Sequence, residues 1–365
     1  MGKRHNLDKC FKHFYQNLQI PSEDRNILKE ARQIIRSHLR RRFTGIKFMT
    51  QGSYAYHTLI RPNYTPPQRM DLDDGAYFTD ISITRENAKN VSEALFETVD
   101  TALGEMANEK NWCLDASKPT CSRVIIGADK HIDIPCYYVM GGQLSETAYS
   151  SLHRSSHYSL YAEASIPYYD FVESGSVWRA HRKQGWVKSD PRLIIDWALK
   201  CTEKYGRQFL RVCCYFKAWR NNQWKKSSMK SLLVMAMVER AFGDLGITGG
   251  KIDDDVAFFE TSGLMIDYLE DGGRIKDPSD DSQCLDEGLS FEERNEIIEK
   301  LGYLHKETEI ALFDSSVNAR KISELMCGQF GRWFPKDAIL IIPVAAAPTI
   351  IPQPTQVKAH RPWSK

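Results

Sequence analysis

Two aspartates two positions apart, in the strand-like run "MDLDDGAYF" at 70–78, constrain most what this 365-residue chain can fold into. Alternate side chains of an extended chain share a face, so Asp71 and Asp73 project together with Cβ atoms roughly 7 Å apart. Carboxylates so placed are hard oxygen ligands that suit Mg²⁺.

About twenty positions earlier, "QGSYAYHTLIRP" (51–62) carries a Gly-Ser turn, and further on "TCSRVIIGADKHIDIPCYYVM" (120–140) alternates around a third acid, Asp133. The spacing predicts a hairpin whose returning strand turns Ile132 and Ile134 to the core and His131 and Asp133 to the opposite face. A neighbouring strand would then bring Asp133 beside the Asp71/Asp73 pair. Three carboxylates on adjacent strands can hold two Mg²⁺ about 4 Å apart, with Mn²⁺ as a substitute. One ion would activate an attacking hydroxyl and the other neutralise a triphosphate and its leaving pyrophosphate. Gly52 and Ser53 would meet the phosphates with backbone N–H groups and a hydroxyl. The ordered set, rather than any one motif, points to metal-dependent nucleotidyl transfer.

The composition suits a folded protein of one large or two modest domains, with 42% hydrophobic residues for a core. Lys and Arg (49) nearly balance Asp and Glu (47), so the net charge of +2 gives no global case for a nucleic-acid or membrane partner. Nine cysteines without zinc spacing fit a reduced cytosol. The N-terminus lacks the apolar core of a secretory signal, and a cytoplasmic location without a membrane anchor is expected.

Residues 22–43 predict an amphipathic helix, with Ser22 as N-cap and Ile27, Ala31, Ile34, Ile35 and Leu39 on its inner face. Lys29, Arg32, Arg36 and Arg40 fall on the other side, read as a solvated face or a site for an acidic ligand. Strands and one helix (86–110) follow to about 140, and 141–189 is expected to be irregular and to lie over the catalytic face. There Arg179, His181, Arg182 and Lys183 could meet phosphate. Asp190-Pro191 caps the first of a series of helices, including 207–224, 231–242 and two segments in 290–326. The expected fold is α+β: an N-terminal helix and nucleotidyltransferase mixed sheet (1–190), a helical domain (191–340), and a Pro-rich, extended or disordered tail (341–365). The active site belongs in the cleft between the two domains.

Together "QGSYAYHTLIRP", "MDLDDGAYF", "TCSR", "HIDIP", "SDP", "FKAWRNNQW" and "SLLVM" resemble the bacterial CD-NTases, the cGAS/DncV-like nucleotidyltransferases of polymerase-beta-like fold, and most closely their dinucleotide cyclase branch. The resemblance implies Asp71, Asp73 and Asp133 as the catalytic, metal-binding acids and Gln51, Gly52 and Ser53 at the triphosphate. It implies Arg123 near the nucleotides and Lys217 at the donor phosphates, with Ser231 as its serine partner in competition with Ser227 and Ser228. Tyr54, Tyr56 and Tyr77 are candidates to stack bases. The implied reaction joins ATP and GTP in two steps into cyclic GMP-AMP, a messenger for a separate effector in antiphage (CBASS) defence. Phe48 and Met49 stand where the cyclase has a Phe-Trp pair at a folate-like pocket, and Lys365 where conjugated relatives end in a small residue, so neither regulation is expected. Rival readings are a cyclic trinucleotide or homodinucleotide product, an RNA nucleotidyl transferase, and a nucleic-acid sensor built on the Arg32/Arg36/Arg40 face and Lys225, Lys226 and Lys230. The modest net charge argues against the sensor.

Overall fold

The computed structural model describes residues 3–78, 81, 83–84, 86–139, 177–248, 252–272 and 274–344. In chain order the first half contains β1 (His5–Asn6), α1 (Asp8–Leu18), α2 (Ser22–Arg42), β2 (Lys47–Gln51), α3 (Gly52–Ala55), β3 (Met70–Phe78) and α4 (Ala88–Glu109). Then come β4 (Cys113–Asp115), β5 (Ser122–Ile126), β6 (Lys130–Ile134), β7 (Cys136–Val139), β8 (Val177–His181) and β9 (Gly185–Lys188). The helical half holds α5 (Pro191–Tyr205), α6 (Arg207–Gln223), α7 (Ser231–Asp244) and α8 (Asp254–Glu270). It continues with the short hairpin β10 (Lys276–Asp277) and β11 (Asp280–Cys284), then α9 (Phe291–Phe313), α10 (Ala319–Phe330) and β12 (Ile342–Pro343).

β3 is the spine of an eight-stranded mixed sheet. It pairs antiparallel with β2 on one side and parallel with β6 and then β7 on the other. β6 and β7 are separated by Pro135, which has no N–H to give the ladder, although its carbonyl still accepts from the Ala76 amide at 2.9 Å. β5 and β4 extend the sheet beyond β6, and the β8–β9 hairpin extends it beyond β7. The stretch 177–188, expected to be irregular, is therefore sheet; 140–176 lies outside the described residues.

The period of two works as the sequence requires. Leu72, Ala76, Ile132 and Ile134 turn to one face, where they pack with Leu28, Ile35 and Leu39 of α2 and Phe96, Val99 and Leu103 of α4. Asp71, Asp73, His131 and Asp133 turn to the other. α2 begins after Pro21 and ends in Arg40, Arg41 and Arg42, cations that suit a helix C-terminus. Its N-cap is Pro21, not Ser22, and Ile27 is exposed while Leu28 is buried.

That rotation brings two of the predicted surface arginines inside: Arg32 and Arg36 are 3% and 6% exposed. Arg36 donates to both oxygens of Asp74, at 2.7 and 2.5 Å, and Arg32 donates to the Thr50 hydroxyl at 2.8 Å. The solvated-face reading fails for these two residues because a buried carboxylate on β3 compensates Arg36 and the buried Thr50 hydroxyl accepts from Arg32. The sensor reading loses its main support with them.

The second core belongs to the helices. Cys213, Phe216 and Trp219 of α6 are fully buried among Leu233, Met265, Leu301 and Met326. Asp190 caps α5 by accepting from the Arg192 amide, with Pro191 at the first helical position, and Ser290 and Glu293 form a reciprocal capping box on α9. The first helix, α1, packs on this core rather than on the sheet: Phe11 and Phe14 meet Tyr215, Phe330 and Phe334 with ring centroids 4.8–5.8 Å apart. Its end of the chain also pairs β1 with β12, so 342–343 is strand, and the rest of the expected tail, 345–365, lies outside the described residues.

Candidate active site

Parallel pairing of β3 with β6 sets Asp71 beside His131 and Asp73 beside Asp133. The predicted meeting of the three acids is thus a consequence of strand register. Arg123 on β5 stands directly opposite Asp133 and grips it with two bonds, Nε to Oδ1 at 2.6 Å and an Nη to Oδ2 at 2.7 Å.

The acids differ electrostatically. Burial and the neighbouring charges of Asp71 and Asp133 push the Asp73 carboxyl well above the usual range. Burial acts the same way on Asp71, but the adjacent His131 ring and the Arg123 charge outweigh it and hold that carboxyl low.

Gly52 makes room for Asp73. Its φ is +66°, and a Cβ there would stand 2.0 Å from Asp73 Oδ2. Only glycine accepts both the backbone and the approach. We expect Gly52→Ala to displace the Asp73 carboxylate and lower product formation by on the order of a hundredfold, with a much smaller loss in thermal denaturation. An active alanine variant would show that the close approach is dispensable.

Gln51 donates to the Tyr137 hydroxyl at 2.8 Å, and the buried rings of Tyr77 and Tyr137 stack at 4.6 Å. Tyr77 is therefore core. Tyr54 belongs to a separate recess with Tyr15, while Tyr56 and Asp73 line a cleft of about 690 Å³ between the sheet and the helices. Arg179, Lys188 and Lys230 bring cations to this cleft, and Asp277, Asp280 and Gln283 of the β10–β11 hairpin face it from the far wall. Of the loop cluster read as phosphate-binding, Arg182 is engaged with Asp100 at 2.7 Å and only Arg179 reaches the cleft.

Lys217 is 3% exposed, so it does not point to water, nor does it line the cleft. Its ammonium donates to the Thr58 carbonyl at 2.5 Å, just behind the Gly-Ser turn. Ser231 accepts from Arg220 at 3.1 Å, and Ser227 accepts from the Met229 amide. Burial lowers Lys217 to about 8 from 10.5. The unfolded chain then binds more protons between those values, so this residue makes stability rise with pH across that window. We expect Lys217→Met to abolish that rise in the denaturation midpoint; an unchanged pH slope would mean that the ammonium is better solvated than its burial implies.

His131 is the site residue that motif reasoning passed over. It is 6% exposed, and among the described residues Asp71, His131 and Asp133 form a group whose candidate ligand atoms all lie within 4.8 Å of one another. The β10–β11 hairpin was also missed, since "KDPSDDSQC" has no apolar alternation to announce strands.

The family of the cyclic GMP-AMP synthase DncV-like nucleotidyltransferase domain matches residues 46–137, the segment that carries all three acids. Over those residues the chain is similar to the DncV-like nucleotidyltransferases. Curated relatives of the chain are named cyclic GMP-AMP synthase. One from Vibrio cholerae is 33% identical over 208 residues, which is 53% of this chain and 47% of that protein. One from Escherichia coli is 28% identical over 333 residues, 87% of this chain and 74% of that protein. The matched stretch thus spans about half of the Vibrio relative. The fold is that of Vibrio cholerae DncV solved with the linear intermediate 5′ pppA(3′,5′)pG, at a TM-score of 0.74 and 21% identity over 94% of this chain and all of that one. Among the described residues no helix is long and apolar enough to cross a membrane.

Proposed function

We propose that this chain is a bacterial CD-NTase that joins two nucleoside triphosphates, ATP and GTP, into a cyclic dinucleotide such as cyclic GMP-AMP, releasing pyrophosphate at each of two steps. The observation that carries the reading is the in-register set of Asp71, Asp73 and Asp133 on β3 and β6, with Asp73 opening onto the cleft. Like charges so crowded raise the proton affinity of Asp73, a strain that bound cations relieve. The residues present fit such ions, since Asp71 Oδ1 is buried without a hydrogen bond. Divalent metal, Mg²⁺ or Mn²⁺, would supply activation of the attacking ribose hydroxyl and neutralisation of the triphosphate.

Asp71, Asp73 and Asp133 would hold the ions, and Asp133 would also be placed to take the ribose proton at a carboxylate oxygen. Arg123, bound to Asp133 at rest, stands where it can follow charge onto a phosphate. Gln51, Gly52 and Ser53 would border the triphosphate. Lys217, a buried cation of α6, adds positive potential behind that turn and would serve the donor phosphates from there, with Ser231 on the neighbouring helix held by the half-buried Arg220. Tyr56 would stack a base, and Asp280 and Gln283 offer groups that can bond base edges.

Spacing supports the same reading. Solved Vibrio DncV variants alter two aspartates two positions apart and a third sixty positions on, the separations of Asp71, Asp73 and Asp133. A product-activated effector and a role in antiphage signalling complete the proposal. Purified chain incubated with the four labelled triphosphates and Mg²⁺, then treated with phosphatase, should leave a resistant product containing adenine and guanine. A ladder of extended RNA primers would instead make it an RNA nucleotidyl transferase.

A further inference from the structure

No aligned hydrogen bond explains the position of His131, whose near polar neighbours are the carboxylates of Asp71 and Asp133. Its ring is more than nine-tenths buried on the catalytic face of β6, and neither ring nitrogen makes a hydrogen bond. An imidazole left so in a core would be costly. Its Nε2 lies 2.9 Å from Asp71 Oδ1 and 3.9 Å from Asp133 Oδ1. The shorter approach is not aligned as a hydrogen bond, and Asp71 Oδ1 is likewise left without one.

These separations have a simple source in coordination geometry. Metal bonds of about 2.1 Å place ligand atoms about 3 Å apart when adjacent and about 4.2 Å apart when opposite. Both separations at His131 fall close to these values. Arg123 takes one lone pair from each Asp133 oxygen and leaves another on each for an ion. β3 and β6 thus present two carboxylates and one imidazole around a common point.

Resting on the metal-dependent reading above, we infer that His131 Nε2 is a direct ligand of an ion held by Asp71 and Asp133, and that this nitrogen biases the site toward Mn²⁺ over Mg²⁺. Mg²⁺ keeps to oxygen ligands, whereas Mn²⁺ accepts imidazole as well as carboxylate. A residue that only oriented Asp71 would donate a hydrogen bond to it, which is the alignment missing here.

Pulsed electron paramagnetic resonance of the full chain loaded with MnCl₂ tests this without reference to turnover. The wild-type protein should show the ¹⁴N modulation of a bound imidazole, absent from His131→Ala, and the variant should bind Mn²⁺ on the order of tenfold more weakly while Mg²⁺ binding changes little. Bound Mn²⁺ without nitrogen modulation in the wild type would overturn the inference and leave the proposed function standing. No bound Mn²⁺, alone or with a non-hydrolysable triphosphate, would overturn both. The wild-type spectrum decides the matter even if the variant fails to fold.

Discussion

Asp71→Asn together with Asp73→Asn should abolish product formation and leave the chain folded. Asparagine keeps the size of each side chain and removes the charge on which metal binding depends, so residual synthesis above a few per cent of wild type would place the metal site elsewhere. The change at 73 should also alter how the stability of the metal-free protein depends on pH. Burial and two neighbouring carboxylates raise Asp73 well above 3.8 in the fold. A raised carboxyl contributes stability fully below its unfolded value and loses it as pH rises through the folded one. An asparagine at 73 does not titrate and so avoids that loss. Denaturation of the wild type without metal should therefore show stability falling as pH climbs above 4, and the variant should lack that part of the slope.

The second large effect lies on the opposite face of β3. Arg36→Ala would leave Asp74, fully buried, with the Thr50 hydroxyl at 3.0 Å as its remaining hydrogen bond. Breaking a buried pair from one side costs about 3–5 kcal/mol, because the surviving charge has no compensation. Asp74 follows Asp73 directly, so the loosened strand should also lower catalytic activity. Pairing Arg36→Met with Asp74→Leu removes both charges and should destabilise less than Arg36→Ala alone in urea denaturation. Equal losses in the single and double variants would mean that packing, rather than the ion pair, sets the cost.

The shared face of the three acids was legible because a strand has a period of two: "MDLDDG" and "KHIDIP" fix which residues face the core without knowledge of their neighbours. Their register is not local. It took the pairing of segments sixty residues apart to show that Asp71 meets His131 and Asp73 meets Asp133. The same limit explains Arg32 and Arg36, whose helical pattern resembles a solvated stripe until Asp74, 38 positions from Arg36, supplies the compensating charge. α1 was lost for a related reason. Phe11 and Phe14 find their partners at Phe330 and Phe334, at the other end of the chain. The helical half was read well, since Asp190-Pro191 and the apolar runs of α6 and α7 carry their own caps and periodicity.

The central claim is that two triphosphates are joined twice within one site. It is tested most directly by counting pyrophosphate against phosphatase-resistant product when the purified chain receives ATP and GTP with Mg²⁺ or Mn²⁺. Two pyrophosphates for each resistant dinucleotide, with neither formed by the Asp71→Asn, Asp73→Asn variant, is the expected result. One pyrophosphate for each linear product that phosphatase still attacks, or unchanged triphosphates across several metals and pH values, would contradict it.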